Sequence, residues 1–233
     1  MHRNRAFFSN SFCGGRGIEI GALHYPFPVP EGSRVRYVDR MTVQDLRKHY
    51  PELNDKPLVK VNIVDDGESL HTMPDGQEDF VIAAQFLEHC QNPIRALANM
   101  LRVIKNGGFV VLTIPDKRVT FDKQRTITTN EHLMDECVNG TERTKHNHYL
   151  ESARSDGKLD EAEVVKLAEK WMTQDYSIHF HVWDPDAFIK FLFFSKDNFN
   201  LPFEIYVTFM NGEEIIVVLR KMLPGVTGIL TVI

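Results

Sequence analysis

Carboxylates that close short apolar runs, and histidines grouped in the second half, are the residues of this chain best placed for chemistry. Glu19 lies in Gly17-Ile18-Glu19-Ile20-Gly21, a run ending in glycine. At such an end a ligand meets no Cβ, and the following amides stay free to donate hydrogen bonds. Asp39 comes 20 residues after Glu19 (39 − 19), just past Arg34–Val38. That separation suits a carboxylate accepting from the hydroxyl pair of a nucleotide ribose. Asp65 and Asp66 close a third run, Val59–Val64. The plainer reading of Asp39 alone is a turn or helix-start carboxylate, because Thr42 opens a helical pattern. Three acidic run-ends in order favour a nucleotide-type ligand over three separate turns.

The histidines suggest proton transfer. In His179-Phe180-His181 an extended chain points both rings the same way, and imidazole is the usual proton acceptor near neutral pH. A solvated strand explains the pair equally well. His132, His146 and His148, with Asp116 and Asp122, offer metal-ligand atoms, but no H-E-x-x-H or cysteine frame accompanies them, so no metal is expected. Arg118, Lys123 and Arg125 could hold an anionic acceptor, although a solvated loop accounts for each of them singly. Trp171, Trp183 and Phe191–Phe194 read as core.

Positioning these groups requires an ordered scaffold, and the first two-thirds alternates β-branched runs with helical patterns in the rhythm of βαβ units. Strands are expected at Gly17–Ile20, Arg34–Val38, Val59–Val64, Asp79–Ala83 and Phe109–Ile114. Before the fifth, Pro93 to Ile104 carries Ile94, Leu97, Leu101 and Ile104 at helical spacing, with Gly107-Gly108 as its stop. From Thr120 to Asp175 the chain turns polar, with helices expected over Thr129–Cys137 and Leu159–Trp171, which reads as an insertion or lid. Pro185–Phe194 reads as a further helix, and Phe203–Phe209 with Glu214–Leu219 as a hairpin around Asn211-Gly212. The ending KMLPGVTGILTVI, a mixed tail that could dock or fray, receives no role. The fold class expected is α/β: a Rossmann-like, mostly parallel sheet with helices on both faces, a C-terminal antiparallel hairpin and a helical insertion after the fifth strand.

Length of 233 residues suits one domain with that insertion at positions 120–175. A net charge of −5 argues against a surface built to neutralise phosphates, so no nucleic acid is expected. Cys13, Cys90 and Cys137 are odd in number and far apart, which fits a reducing compartment. No apolar stretch approaches membrane-spanning length, and the start lacks a signal-peptide core, so a cytoplasmic, soluble protein is expected.

The ordered pieces EIG, YVDR, VDDGESL, DFVIAAQFLEH and LRVIKNGGFVVLTIPD resemble the class I S-adenosylmethionine-dependent methyltransferases of the type 11-like bacterial group, from Gly17 to Asp116. The resemblance implies S-adenosyl-L-methionine as cofactor. Its cofactor-binding residues would be Glu19, Gly21 and Ala22 at the first turn, Asp39 and Arg40 at the second strand end, and Asp65 and Asp66 at the third. Gln85, Phe86 and His89 would border the methionine and the acceptor. One departure stands out: Leu23 occupies the place of the family's second turn glycine. The implied function is in-line methyl transfer to an O or N atom of a small-molecule, anionic or sugar-type acceptor, with His181, His179, His89 and Asp116 as catalytic candidates. Two alternatives stay open: a catalytically inactive cofactor-binding or scaffold protein, and an NAD-dependent oxidoreductase, whose site shares the glycine turn and the acidic residue.

Overall fold

In the structure, a computed structural model describing residues 2–155 and 157–223, the β-branched runs pair into one sheet. The final residues, 224–233, which hold most of the tail left without a role, lie outside the described residues. The strands are β1 Arg16–Ile20, β2 Arg34–Asp39, β3 Ile63–Val64, β4 Glu78–Ala84, β5 Ile104–Pro115, β6 Phe203–Asn211 and β7 Glu214–Lys221, in spatial order β3-β2-β1-β4-β5-β7-β6. The first five pair in parallel, and β7 joins β5 antiparallel with β6 outside it. Chain direction therefore reverses its winding between β1 and β4, and a crevice opens beyond their carboxyl ends.

The helices are α1 His2–Phe12, α2 Val43–His49, α3 Pro93–Val103, α4 Asn130–Asn139, α5 Glu142–Arg154, α6 Glu161–Thr173 and α7 Pro185–Phe199. Asn92 caps α3 by accepting from the Arg95 amide, and Pro93 fits its first turn. Ile94, Leu97, Met100 and Leu101 then face the sheet with Phe188, Phe191 and Leu192 of α7. On the opposite face Phe8 of α1 and Phe27 cover Phe80, Ile82, Val111, Ile216 and Val218. Each such side chain stabilises by about 1.5–3 kcal/mol when fully buried. The inserted helices have a core of their own, in which Tyr149, Ala153, Val164 and Ala168 pack on Ile178 and Phe180. Among the described residues no helix is long and apolar enough to cross a membrane.

Several boundaries differ from the sequence expectation. The third strand is confined to Ile63–Val64 rather than running from Val59, because Asn62 uses its side chain to accept from the Tyr37 amide and Val59 donates to the Leu23 carbonyl. Gly107-Gly108 does not precede the fifth strand but lies within it, since Ile104 already pairs with Glu78. The hairpin turn is Gly212-Glu213, closed by the Asn211–Glu214 pair, with Gly212 at φ +70°. α7 runs five residues further than expected, to Phe199 (199 − 194), and stops where Asn200 turns left-handed. α6 starts at Glu161 because Asp160 and Glu163 form a capping box, which leaves Leu159 outside and exposed. α1 and α5, rich in polar residues, were not expected.

Candidate active site

The carboxyl ends of β1, β2, β3 and β4 open into one cavity of about 1060 Å³. Gly21 follows β1 at φ +66°, and its amide donates to the Val38 carbonyl, so the hydrogen bonding between β1 and β2 continues to the cavity edge. Leu23, where the glycine pattern lapses, still takes a left-handed φ of +48°. That conformation costs a non-glycine residue about 1–2 kcal/mol; here the Val59 amide, bonded to the Leu23 carbonyl at 2.8 Å, helps to hold it. The turn is thus rebuilt rather than lost. Asp39 and Arg40 follow from β2, Asp66 from β3, and Gln85, Phe86 and His89 from β4. Gly67 lies on the floor, where a Cβ would stand 2.6 Å from Ile20 Cγ2 and 2.6 Å from Phe86 Cζ.

Three predicted cofactor residues do not line the cavity. Glu19 is buried behind it, where Oε1 accepts from the Phe27 amide at 2.8 Å and Oε2 has no partner among the described residues. Burial pushes its carboxyl up to about 8, against the opposing Phe27 hydrogen bond and the Arg5 charge. Ala22 is buried in the turn. Asp65 turns inward: Oδ2 accepts from the Thr72 amide and hydroxyl and Oδ1 pairs with His71, so these contacts overcome burial and hold its carboxyl below the usual range. Asp39 remains on the wall with its carboxyl raised by burial, although the Met41 amide and Arg40 oppose that shift.

The insertion forms the opposite wall. Arg40 donates to Asp175 at Oδ2 (2.5 Å) and at its carbonyl (2.8 Å), and Tyr176 donates to Glu52 at 3.0 Å. The next segment runs along the turn after β4, with the Phe180 amide bonded to the Glu88 carbonyl at 2.7 Å. Gln91, Glu136, Tyr176, Ser177 and Phe180 complete this side. Sequence reasoning missed Gly67, Glu68, Tyr50 and Tyr176. For Gly67-Glu68 a signal was present in Asp65-Asp66-Gly67-Glu68, where Glu68 accepts from the Gln91 and Asn92 amides and so anchors the start of α3. For the two tyrosines none was, because they come from segments far apart in the chain and meet only in the folded structure, with ring centroids 5.4 Å apart.

The four catalytic candidates separate. His89 is on the wall; its Nδ1–H donates to the Ile178 carbonyl at 2.9 Å, and desolvation, helped by His179, pulls its imidazole down to about 3. His179 sits against it, ring centroids 4.7 Å apart, and donates from Nδ1 to Asp122 at 2.6 Å, while Arg125 holds the other Asp122 oxygen. Glu88 beside them is buried with both oxygens unpartnered among the described residues, and burial pushes it up to about 7. His181 is fully buried off the cavity, brought near His132, Glu136 and His148, and burial pulls it down to about 3. Asp116 is also off the cavity, held by the Arg118 guanidinium, which overcomes burial and keeps its carboxyl low.

In comparison with known proteins, residues 17–112 match a family described as a methyltransferase domain. An uncharacterised protein of Methanocaldococcus jannaschii is 30% identical over 103 residues; the match covers 44% of this chain and 46% of that relative, less than half of either. A putative methyltransferase from Bacillus halodurans C-125 shares the fold with a TM-score of 0.51 at 14% identity, over 95% of this chain and 99% of that one. A protein described as a putative zinc-dependent alcohol dehydrogenase from Rhodobacter sphaeroides gives a TM-score of 0.56 at 14% identity, over 95% and 90%. At such identities these likenesses concern fold.

Proposed function

We propose that this chain, whose residues 17–112 match a methyltransferase domain, is a class I enzyme that transfers the methyl group of S-adenosylmethionine to an O or N atom of a small-molecule acceptor, anionic or sugar-type. The observation that carries the proposal is the cavity at the sheet switch point, walled on one side by Gly21, Asp39, Asp66 and Phe86 and on the other by the insertion. Its residues fit the cofactor. Ligand sites usually span about 300–1000 Å³, so this cavity has room for a nucleoside and an acceptor together. The floor at Gly67 admits no side chain, and the Asp39 carboxylate stands at the wall for a ribose hydroxyl pair.

When bound, the cofactor supplies a methyl group on positively charged sulfur. The chain's part is alignment of the acceptor lone pair with that methyl, an effect worth several kcal/mol of barrier, about 7–11 at the upper end. His89, neutral and with Nδ1–H tied to Ile178, leaves Nε2 free to accept a hydrogen bond from an acceptor hydroxyl or amine. Asp122 fixes the His179 tautomer, and His179, which packs on His89 without lining the cavity, positions that ring, so the released proton leaves by way of His89 Nε2 to solvent. His181 and Asp116 stand off the cavity, and no contact with the reacting atoms is assigned to them here.

Calorimetric titration tests the proposal. S-adenosylmethionine and its demethylated product should bind and NAD should not, and Asp39→Ala should weaken binding about tenfold or more while Asp116→Ala leaves it nearly unchanged. Selective NAD binding overturns the proposal in favour of an oxidoreductase, and binding with no methyl mass gain across a metabolite extract favours an inactive binder. In the same extract assay His89→Gln should lower turnover about tenfold or more; unchanged turnover removes His89 as the group that meets the acceptor.

A further inference from the structure

Beneath the acceptor side of the cavity, three imidazoles and one carboxylate converge from separate elements. His132 and Glu136 lie one turn apart on α4, His148 lies on α5, and His181 lies on the extended segment whose amide bonds to the Glu88 carbonyl. The Nε2 atoms of His132 and His148 are 3.1 Å apart, and both approach Glu136 Oε1, at 3.1 and 2.7 Å. His181 Nε2 is 3.4 Å from Glu136 Oε2. One ligand atom from each of the four lies within 4.8 Å of every other. From these contacts we propose that His132, Glu136, His148 and His181 bind a divalent ion of the zinc class, which fastens the inserted helices to the methyltransferase domain.

Hydrogen bonding alone leaves this cluster in conflict. Oε1 of Glu136 already accepts from the Thr144 hydroxyl. If both His132 and His148 also donated to it, their Nε2 hydrogens would face one another across 3.1 Å. Oε2 of Glu136, on a residue only 1% exposed, has no hydrogen-bond partner among the described residues and points to His181 Nε2. His181 Nε2 has one other neighbour, the Gln91 carbonyl at a long 3.3 Å. An ion replaces these strained contacts by lone pairs from three neutral imidazoles and one carboxylate. Tetrahedral zinc with bonds near 2.0–2.1 Å sets its ligand atoms about 3.3 Å apart; three separations here are 3.1, 3.1 and 3.4 Å, and the 2.7 Å between His148 Nε2 and Glu136 Oε1 widens when the ion enters. The rings stand at 63–78° to one another, splayed about a common point rather than stacked.

Nitrogen and oxygen ligands, with His predominating, select zinc over calcium or magnesium, which take oxygen cages. Four protein ligands close the coordination sphere, so the role is structural. No metal is expected from the sequence because the ligands are drawn from 132 to 181 without a fixed spacing and combine only when α4, α5 and the extended segment meet. The inference does not depend on methyl transfer.

The full chain, loaded with zinc, dialysed and analysed by plasma mass spectrometry, should retain about one ion per chain. With cobalt it should show the intense visible bands of tetrahedral coordination. His148→Ala should lose the ion and the bands, whereas His146→Ala, an exposed neighbour on the same helix, should keep both. Should His148→Ala fail to fold, the wild-type cobalt spectrum decides. No uptake by the folded wild type, a weak octahedral spectrum, or full retention in His148→Ala overturns the proposal.

Discussion

Glu19 is a buried carboxyl whose carboxyl is pushed up to about 8, with desolvation as the main cause and the Phe27 amide and Arg5 opposing it. An unfolded glutamate titrates near 4.3, so between about 4.3 and 8 the folded chain holds a proton that the unfolded chain has released. Stability from this group is therefore complete below about pH 4.3 and is lost as pH rises through 8, at up to about 1.4 kcal/mol per unit. Glu19→Gln keeps an oxygen for the Phe27 amide and removes the ionisation. Thermal melts should show the variant gaining on wild type as pH rises from about 6 to 8. A difference that stays constant with pH would show that Glu19 is ionised in the folded chain. Glu88, raised to about 7 by burial, leaves its own slope in both proteins.

At the scale of elements, the inserted region meets the end of β2 through exposed polar contacts. Arg40 at the end of β2 and Asp175 past α6 are 34% and 57% exposed in their side chains, so their pair contributes at most about 1 kcal/mol to global stability. The same pair closes the cavity rim, and Tyr176 beside it bonds Glu52. Asp175→Ala should therefore leave the melting temperature within a few degrees while weakening cofactor binding several-fold and speeding amide exchange over residues 175–182. Unaltered binding and exchange would show that the remaining contacts of this segment, such as Tyr176 with Glu52 and Phe180 with Glu88, suffice to hold it.

Across the whole molecule, the first helix and the last strand pair are welded at one point. Arg5 of α1 forms a paired hydrogen bond with Glu214 of β7, both buried, and lies 5.3 Å from the Phe27 ring. Glu214 also accepts from Gln85 at the cavity edge and from Asn211. Arg5→Ala strands that carboxylate in the core and should cost about 3–5 kcal/mol by denaturant titration. A loss under about 1 kcal/mol would show that Gln85 and Asn211 suffice. Alternating apolar runs already specified the parallel sheet and the acidic strand ends, because burial on both faces imposes β-branched runs and strand ends inherit whatever follows them. So Gly21, Asp39 and Asp66 could be read from order and spacing, and Leu23 as the lapse in the turn, whereas Glu19, expected beside them, is buried behind the cavity. What the sequence left undecided was how the residues after Asp116 come together. Tyr176 against Tyr50, Asp122 against His179, and His132, Glu136, His148 and His181 around one point are side chains from elements whose polar composition carries little periodicity. Their meeting is set by the packing of α4, α5 and the 178–182 segment over the sheet edge, a long-range geometry that no local spacing records.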